Sequence, residues 1–296
     1  MSILFDSGPQ LTPDEFRLLR ELINRYCGIS FSDDSMFVFE RRLRERVREL
    51  GLRDFTQYYH HLRYHPNAKA ETEAAVDALV TNETYLFREE YQLRAFRHEI
   101  LPELRERLER ENRRSLTIWS AGCSTGEEVY TLAILVAESE LFEGWDVRVF
   151  GNDISRRVLA TARRATYGMS SFRATPPQYE RYFEAVPEGR QVVAHIRAMC
   201  HFGHLNLLDR DRSALIGRAD VIFCRNVLIY FDEQARRQVI DTFYERLYPG
   251  GYLLLGHSES LLNSTTAFEL VHLSSDMVYR RPRTRGLDDG EKEGLL

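Results

Sequence analysis

Lysine is nearly missing from this 296-residue chain, standing only at Lys69 and Lys292, so arginine supplies almost all of the positive charge. That bias reads as a trait of genome composition and carries no chemistry of its own. Nor is there a basic excess: 40 bases face 45 acids, a formal charge of −5, which argues against nucleic acid as the main partner while leaving room for local patches. Cysteine is scarce as well. Cys27, Cys123, Cys200 and Cys224 lie far apart and never form C-x-x-C, which disfavours a zinc knuckle, a redox pair or a disulfide framework and fits a reducing cytosol. The opening M-S-I-L-F-D-S lacks the basic start and apolar run of an export signal, and no stretch approaches the roughly 20 apolar residues that span a bilayer. The expectation is a soluble, unexported protein whose 43% hydrophobic content can build the core of one large domain or two smaller ones.

What is present divides in two. Thr12 as a cap, Pro13 at the first helical position and acids in the next turn mark a helix start, and Phe16, Leu19, Leu22, Ile23 and Tyr26 follow at helical spacing. Further helices are predicted over Met36 to Leu50, Asp54 to Tyr64 and about Ala70 to Val80. The second places Leu43, Val47 and Leu50 on one face, with Arg41, Arg42, Arg44, Arg46 and Arg48 covering the rest. Residues 12–82 thus read as an all-helical N-terminal domain. Beyond it short apolar runs alternate with helices: L-T-I-W-S, a helix from Glu127 to Glu138, V-R-V-F-G, a helix from Ser155 to Thr166, A-D-V-I-F-C, a helix from Asp232 to Tyr248, and Y-L-L-L-G. This alternation predicts a doubly wound, Rossmann-like α/β domain over residues 83–282, with a parallel sheet covered on both faces. The stretch at about 179–205 breaks the pattern and reads as a small β insertion. Residues 283–296 are charged with little to bury, so a disordered tail or linker is expected.

In such a sheet ligands bind beyond the carboxyl ends of the strands. The first of these ends delivers I-W-S-A-G-C-S-T-G-E-E at 118–128, where Gly122 and Gly126 permit a tight turn. The loop lacks G-x-G-x-x-G, and Glu127 and Glu128 put negative charge where a phosphate would sit. Two readings stay open for those acids. They complement a helix dipole, or they face a cationic ligand such as S-adenosylmethionine, whose sulfonium and ammonium outweigh its one carboxylate. Asp153, about 30 residues on at the end of the second strand, is placed to accept ribose hydroxyls. The third strand end delivers Arg225, Asn226 and Tyr230. His61 and His65 have i, i+4 spacing but no visible third ligand, so a solvated helix face is expected and no metal.

T-N-E-T-Y-L-F-R-E at 81–89, W-S-A-G-C-S-T-G-E-E at 119–128, F-G-N-D-I-S at 150–155, N-L-L-D at 206–209, F-C-R-N-V-L-I-Y-F-D at 223–232 and the closing P-G-G-Y-L-L-L-G-H-S-E-S follow one another in order. In this the chain resembles the CheR-type chemotaxis methyltransferases across essentially residues 12–281. The resemblance implies methyl transfer from S-adenosylmethionine to glutamate side chains of methyl-accepting chemotaxis receptors, giving γ-methyl esters without a metal. By motif position it implies that Asn82, Thr84 and Arg88 border the methionyl end and the reacting centre, and that Arg88 can also orient the incoming carboxylate. Gly122 lies in the cofactor loop and Glu128, rather than Glu127, reaches the cofactor. Asp153 holds the ribose, Asn206 and Leu207 flank the adenine, and Arg225 and Asn226 line the pocket. Tyr230 is expected near the transferred methyl as a buried phenol whose partner is the substrate carboxylate.

The same resemblance implies a cytoplasmic enzyme, recruitable to receptor arrays, whose N-terminal domain docks on the helical cytoplasmic part of the receptor. The arginine-rich helix suits such a docking surface, although Glu40, Glu45 and Glu49 also allow an ordinary solvated face. Three departures from the enterobacterial pattern stand out: Leu86, Val129 with Thr131, and an insertion that turns through only V-P-E-G-R. The short turn implies that no C-terminal receptor pentapeptide is gripped. Two other functions compete, a non-catalytic adaptor that keeps the fold and a nucleic-acid methyltransferase gripping phosphates through Arg41 to Arg48.

Overall fold

A computed structural model describes residues 8–262 and 264–283 of the chain; from residue 284 onward the expected tail lies outside the described residues. The first helix, α1 (Pro13–Cys27), starts as its sequence dictates. The Thr12 hydroxyl accepts the Glu15 N–H while the Glu15 carboxylate accepts the Thr12 N–H, satisfying two end groups at once. Gly28, at φ +73°, ends the helix by returning its N–H to the Asn24 carbonyl. With α2 (Met36–Glu49), α3 (Phe55–Tyr64) and α4 (Ala68–Leu79) it forms a bundle whose core includes Phe16, Leu19, Ile23, Phe39, Leu43, Val47, Tyr58 and Val76.

The arginines of α2 do not form one open face. Arg42 donates to the carbonyls of Ala78, Leu79 and Val80 and so caps the C-terminus of α4. Arg46 pairs with the buried Glu71 at 2.6 Å, and Arg44 pairs with Glu40. Arg41 remains exposed, over the ring of the exposed Phe37.

After the bundle the chain runs helically through α5 (Glu90–Ala95), a π turn (Phe96–Ile100) and α6 (Leu101–Arg110), a stretch for which no element was expected. Its apolar residues Leu93, Phe96, Ile100, Leu104 and Leu108 have helical spacing and are buried, but the many charges between them obscure the pattern. The α/β part follows with β1 (Ser115–Ala121), α7 (Glu127–Ser139), β2 (Asp146–Asp153), α8 (Arg156–Arg164), β3 (Thr166–Tyr167), β4 (Phe183–Val186), β5 (Gly189–Val192), α9 (Ala194–Ala198) and β6 (Cys200–His204). It continues through α10 (Arg210–Ala214), β7 (Ala219–Cys224), α11 (Glu233–Arg246), β8 (Leu247–Leu255), β9 (Glu269–His272) and β10 (Met277–Arg280).

The main sheet has the order β6-β2-β1-β7-β8-β10-β9, and β3-β5-β4 form a small antiparallel sheet. The doubly wound α/β architecture is therefore present, with two corrections. The sheet is not all parallel, because β10 and β9 add an antiparallel edge beyond β8. The insertion also differs from the expected 179–205: its sheet begins at Thr166, while Cys200–His204 pairs in parallel with β2 as the opposite edge of the main sheet. The short run C-H-F-G-H carries no signal telling a hairpin arm from an edge strand; only its partner decides.

Successive strands leave β1 first toward β2 and then toward β7, so the crevice of an open sheet falls at the carboxyl ends of β1 and β7. The turn from β1 to α7 passes through Gly126 at φ +92°, where a Cβ would stand 2.8 Å from the Cβ of Ala162 on α8. Gly126→Ala is expected to destabilise the fold by about 2 kcal/mol through strain and overpacking. Urea unfolding at equilibrium measures it, and an unchanged midpoint would contradict this packing.

Candidate active site

Backbone register builds the site before any side chain enters. Ala121 is aligned with Asn152 across β1 and β2, and the Asn152 carbonyl accepts the N–H groups of Gly122 at 2.9 Å and Cys123 at 2.8 Å. The fully buried Asn152 side chain accepts the Trp119 indole N–H at 2.5 Å. The glycine loop is thereby pinned to the end of the neighbouring strand. Gly122, at φ +77°, has no room for a side chain, since a Cβ would approach Val227 Cγ2 to 2.5 Å.

Beside this turn lies a cavity of about 760 Å³, in the range of small-molecule sites. Its wall includes every residue expected for the site: Asn82, Thr84, Arg88, Gly122, Glu128, Asp153, Asn206, Leu207, Arg225, Asn226 and Tyr230. Glu128 accepts the Ser120 hydroxyl at 2.7 Å and pairs with Arg225 Nε at 2.9 Å. Glu127 is turned away. Its carboxylate accepts the hydroxyls of Thr125 and Ser171, and burial raises its pKa against the opposing effect of those bonds. Asp153 accepts the N–H groups of Ser124 and Ser155, both at 2.9 Å, which leaves part of its acceptor capacity facing the cavity. Burial raises the pKa of Asp153, and the two backbone bonds pull it down.

The buried Arg225 donates through Nη2 to the Arg88 carbonyl, and its buried Nη1 has no hydrogen-bond partner among the described residues. The buried Oδ1 of Asn226 is likewise without one. Unsatisfied buried polar atoms at a cavity wall are what a polar ligand would complete. The set of a carboxylate at Glu128, an arginine with a spare donor and a second carboxylate at Asp153 fits a ligand carrying an ammonium, a carboxylate and a ribose diol. S-adenosylmethionine is such a molecule. Arg88 stands at the same wall, presented between Phe87 at φ +57° and Glu89 at φ +60°, with its guanidinium donating to the Glu83 carbonyl at 3.1 Å. Two consecutive-but-one left-handed residues persist because Phe87 is held by a bond from its N–H to Thr131 and by a ring stack on Tyr179.

One expectation changes. Tyr230 is not a buried phenol; it is 41% exposed at the cavity wall, next to Ile229 at 48%. Asn206 stands in the cavity wall with its amide partly engaged: it donates to the Tyr26 carbonyl at 2.6 Å and accepts the Leu208 N–H, which leaves one N–H and one lone pair. It ties the cavity wall to the helical bundle. The bundle itself was missed as a contributor: Cys27, Ile29, Ser30, Phe31 and Arg42 all line the cavity. Ser30 N–H donates to the Tyr230 carbonyl at 2.7 Å, and Asn24 donates to Asp232, the cap of α11. Nothing local in the sequence marks these pairings, which join residues about 200 positions apart. Glu259 was also passed over, although it lies in the G-H-S-E-S motif; its carboxylate gathers backbone N–H groups of the 225–230 loop. Among the described residues no group of three or more His, Cys, Asp or Glu side chains is placed to hold a metal ion, and no helix is long and apolar enough to cross a membrane.

Comparison with known proteins shows the family. Residues 14–80 match the all-alpha domain of the CheR methyltransferases, and residues 82–277 match their SAM-binding domain. Chemotaxis protein methyltransferase 2 of Vibrio cholerae is 32% identical over 96% of this chain and 98% of its own length. Chemotaxis protein methyltransferase 1 of Pseudomonas aeruginosa is 33% identical over 90% of this chain and 97% of its own. The chemotaxis protein methyltransferase of Salmonella typhimurium is 36% identical over 88% of each. Among solved structures, the N-methyltransferase NodS of Bradyrhizobium japonicum with S-adenosyl-L-homocysteine aligns at 17% identity and a TM-score of 0.36, covering 64% of this chain and 91% of that one. With both of its family domains present in order over nearly the whole described chain, this protein belongs to the CheR-type chemotaxis methyltransferases and carries their S-adenosylmethionine-binding domain.

Proposed function

We propose that the protein transfers a methyl group from S-adenosylmethionine to glutamate side chains of methyl-accepting chemotaxis receptors. The observation that carries this reading is the shared cavity: cofactor-suited Glu128, Arg225 and Asp153 lie in one wall system with Arg88 and the half-exposed Tyr230. In this reading Glu128, Asp153, Arg225, Asn226, Asn82, Thr84, Asn206 and Leu207 hold the cofactor, which when bound supplies an electrophilic methyl on a sulfonium. A receptor glutamate has an ordinary pKa of about 4.3, so it arrives ionised and needs no general base. Arg88 draws that carboxylate in by charge-assisted hydrogen bonds. Tyr230, exposed enough to meet a macromolecule, donates its phenol to the same carboxylate and fixes its direction of attack. The remaining work is alignment and exclusion of water.

Docking on the helical cytoplasmic region of a receptor falls to the bundle in this proposal, with the exposed Arg41 and Phe37 of α2 as its reduced contact stripe. The β4–β5 hairpin turns through Pro187 and Glu188 alone between the paired Val186 and Gly189, which supports independence from a receptor pentapeptide. The protein would then act in the cytoplasm at receptor arrays, without nucleic acid as a partner.

Transfer of a radiolabelled methyl to receptor cytoplasmic fragments, with and without their C-terminal ends, tests the reading. Base-labile label on glutamate is expected in both, and Tyr230→Phe is expected to lower turnover by about 10- to 100-fold while leaving S-adenosylhomocysteine affinity within about twofold. Tight cofactor binding with no labelled receptor would instead indicate an adaptor.

A further inference from the structure

We propose that Glu259 is a positioning residue of this site: its carboxylate is the anion around which the 225–230 loop is folded, and it thereby sets both the cofactor wall and Tyr230. The inference rests on the methyl-transfer reading for its turnover measurements alone. Four backbone N–H groups converge on the one carboxylate. Gly256 at 2.7 Å and Asn226 at 2.8 Å donate to Oε2, and Val227 at 2.9 Å and Ile229 at 3.2 Å donate to Oε1. Converging backbone donors form an anion-binding concavity, and an ionised carboxylate, with about four lone-pair sites, can satisfy all of them. A neutral side chain cannot.

The loop needs such an anchor. Asn226 is a non-glycine residue at φ +59°, a conformation that persists only where neighbours over-determine it. Gly256 is packed so closely against it that an added Cβ would lie 2.7 Å from the Asn226 nitrogen and 2.8 Å from Glu259 Oε2. Val227, the next donor, fills the space that a side chain on Gly122 would occupy, so the same anchor sets how the loop meets the cofactor turn. Ile229 and Tyr230 follow at once. Yet Glu259 is buried and is absent from the cavity wall, so it acts through the residues it places.

Glu259→Gln is the direct test, since it keeps the shape while setting an amide N–H₂ against two N–H donors. Circular dichroism and calorimetry with S-adenosylhomocysteine are expected to show a folded protein with about tenfold weaker binding, and the transfer assay about 100-fold lower turnover. Because positioning acts on Tyr230, the penalty of Tyr230→Phe should shrink to about threefold or less in the Glu259→Gln background. Glu259→Asp, which keeps the charge with a shorter reach, should recover part of the turnover and serves as the second variant if the glutamine form does not fold. Cofactor affinity and turnover within about twofold of wild type in a folded variant would overturn the proposal, as would a Tyr230→Phe penalty that stays fully additive. If wild-type protein labels no receptor, the methyl-transfer reading fails by itself, and the calorimetric comparison alone decides the role of Glu259.

Discussion

Asp153→Ala is expected to weaken S-adenosylhomocysteine binding by about 100-fold or more, the size of losing one to two hydrogen bonds to a charged acceptor at roughly 1.5–3 kcal/mol each. The carboxylate already accepts the N–H groups of Ser124 and Ser155, so alanine also strands two donors that shape the cofactor turn. Stability falls with affinity, and the two must be read separately, by calorimetry on the folded variant and by urea unfolding without ligand. Asp153→Asn should lie between, because it keeps an acceptor while opposing an amide donor to one N–H. Direction in pH follows from the same environment. Burial holds the Asp153 pKa above the ordinary aspartate value, so the ionised acceptor is lost sooner as pH falls, and affinity should decline on the acid side earlier than for a solvated aspartate. Unchanged affinity in folded Asp153→Ala would refute the ribose assignment.

The second large effect concerns folding. Glu128→Ala removes the carboxylate from the guanidinium of Arg225, whose side chain is only 3% exposed. Breaking a buried pair on one side leaves an uncompensated charge and costs about 3–5 kcal/mol, enough to lower the thermal midpoint by roughly 10 °C. Ligand-free differential scanning calorimetry measures this without involving the cofactor. The double variant Glu128→Ala with Arg225→Met should regain much of the lost stability, since both charges are then gone. A single-variant loss below about 1 kcal/mol would mean that Arg225 finds another counter-charge or water. Loss of cofactor affinity in the double variant, despite recovered stability, would separate the binding role of the pair from its structural one.

Much of this site was legible from order and chemistry along the chain. The acids after Gly126 argued against phosphate, Asp153 lay at a strand end, and Arg225, Asn226 and Tyr230 followed a buried strand, so these residues of the cavity wall could be named in advance, whereas those from the helical bundle could not. Motif position chose Glu128 over Glu127, and the fold adds the reason the two differ: adjacent residues on a helix point about 100° apart, and here Glu128 meets Arg225 and Glu127 meets Ser171. Asn206, identified by motif, also holds Tyr26 through a pairing the sequence does not show, and Tyr230 stands half in solvent where burial was expected. The arginines of α2 looked like one cationic surface until Arg42, Arg44 and Arg46 proved to be engaged with α4 and Glu40.

By itself the sequence determined what local rules control: the Thr12 cap, the bundle periodicity, the strand–helix alternation and the residue types at strand ends. Tertiary structure alone decided that Cys200–His204 joins the main sheet, that Gly28 to Ser30 closes on the loop at Tyr230, and that Glu259 gathers the distant N–H groups of Asn226, Val227 and Ile229. The physical reason is the same in each case. Short strands and lone polar side chains have no intrinsic preference among partners, and the one they take is set by which surfaces the packed core brings within hydrogen-bonding distance.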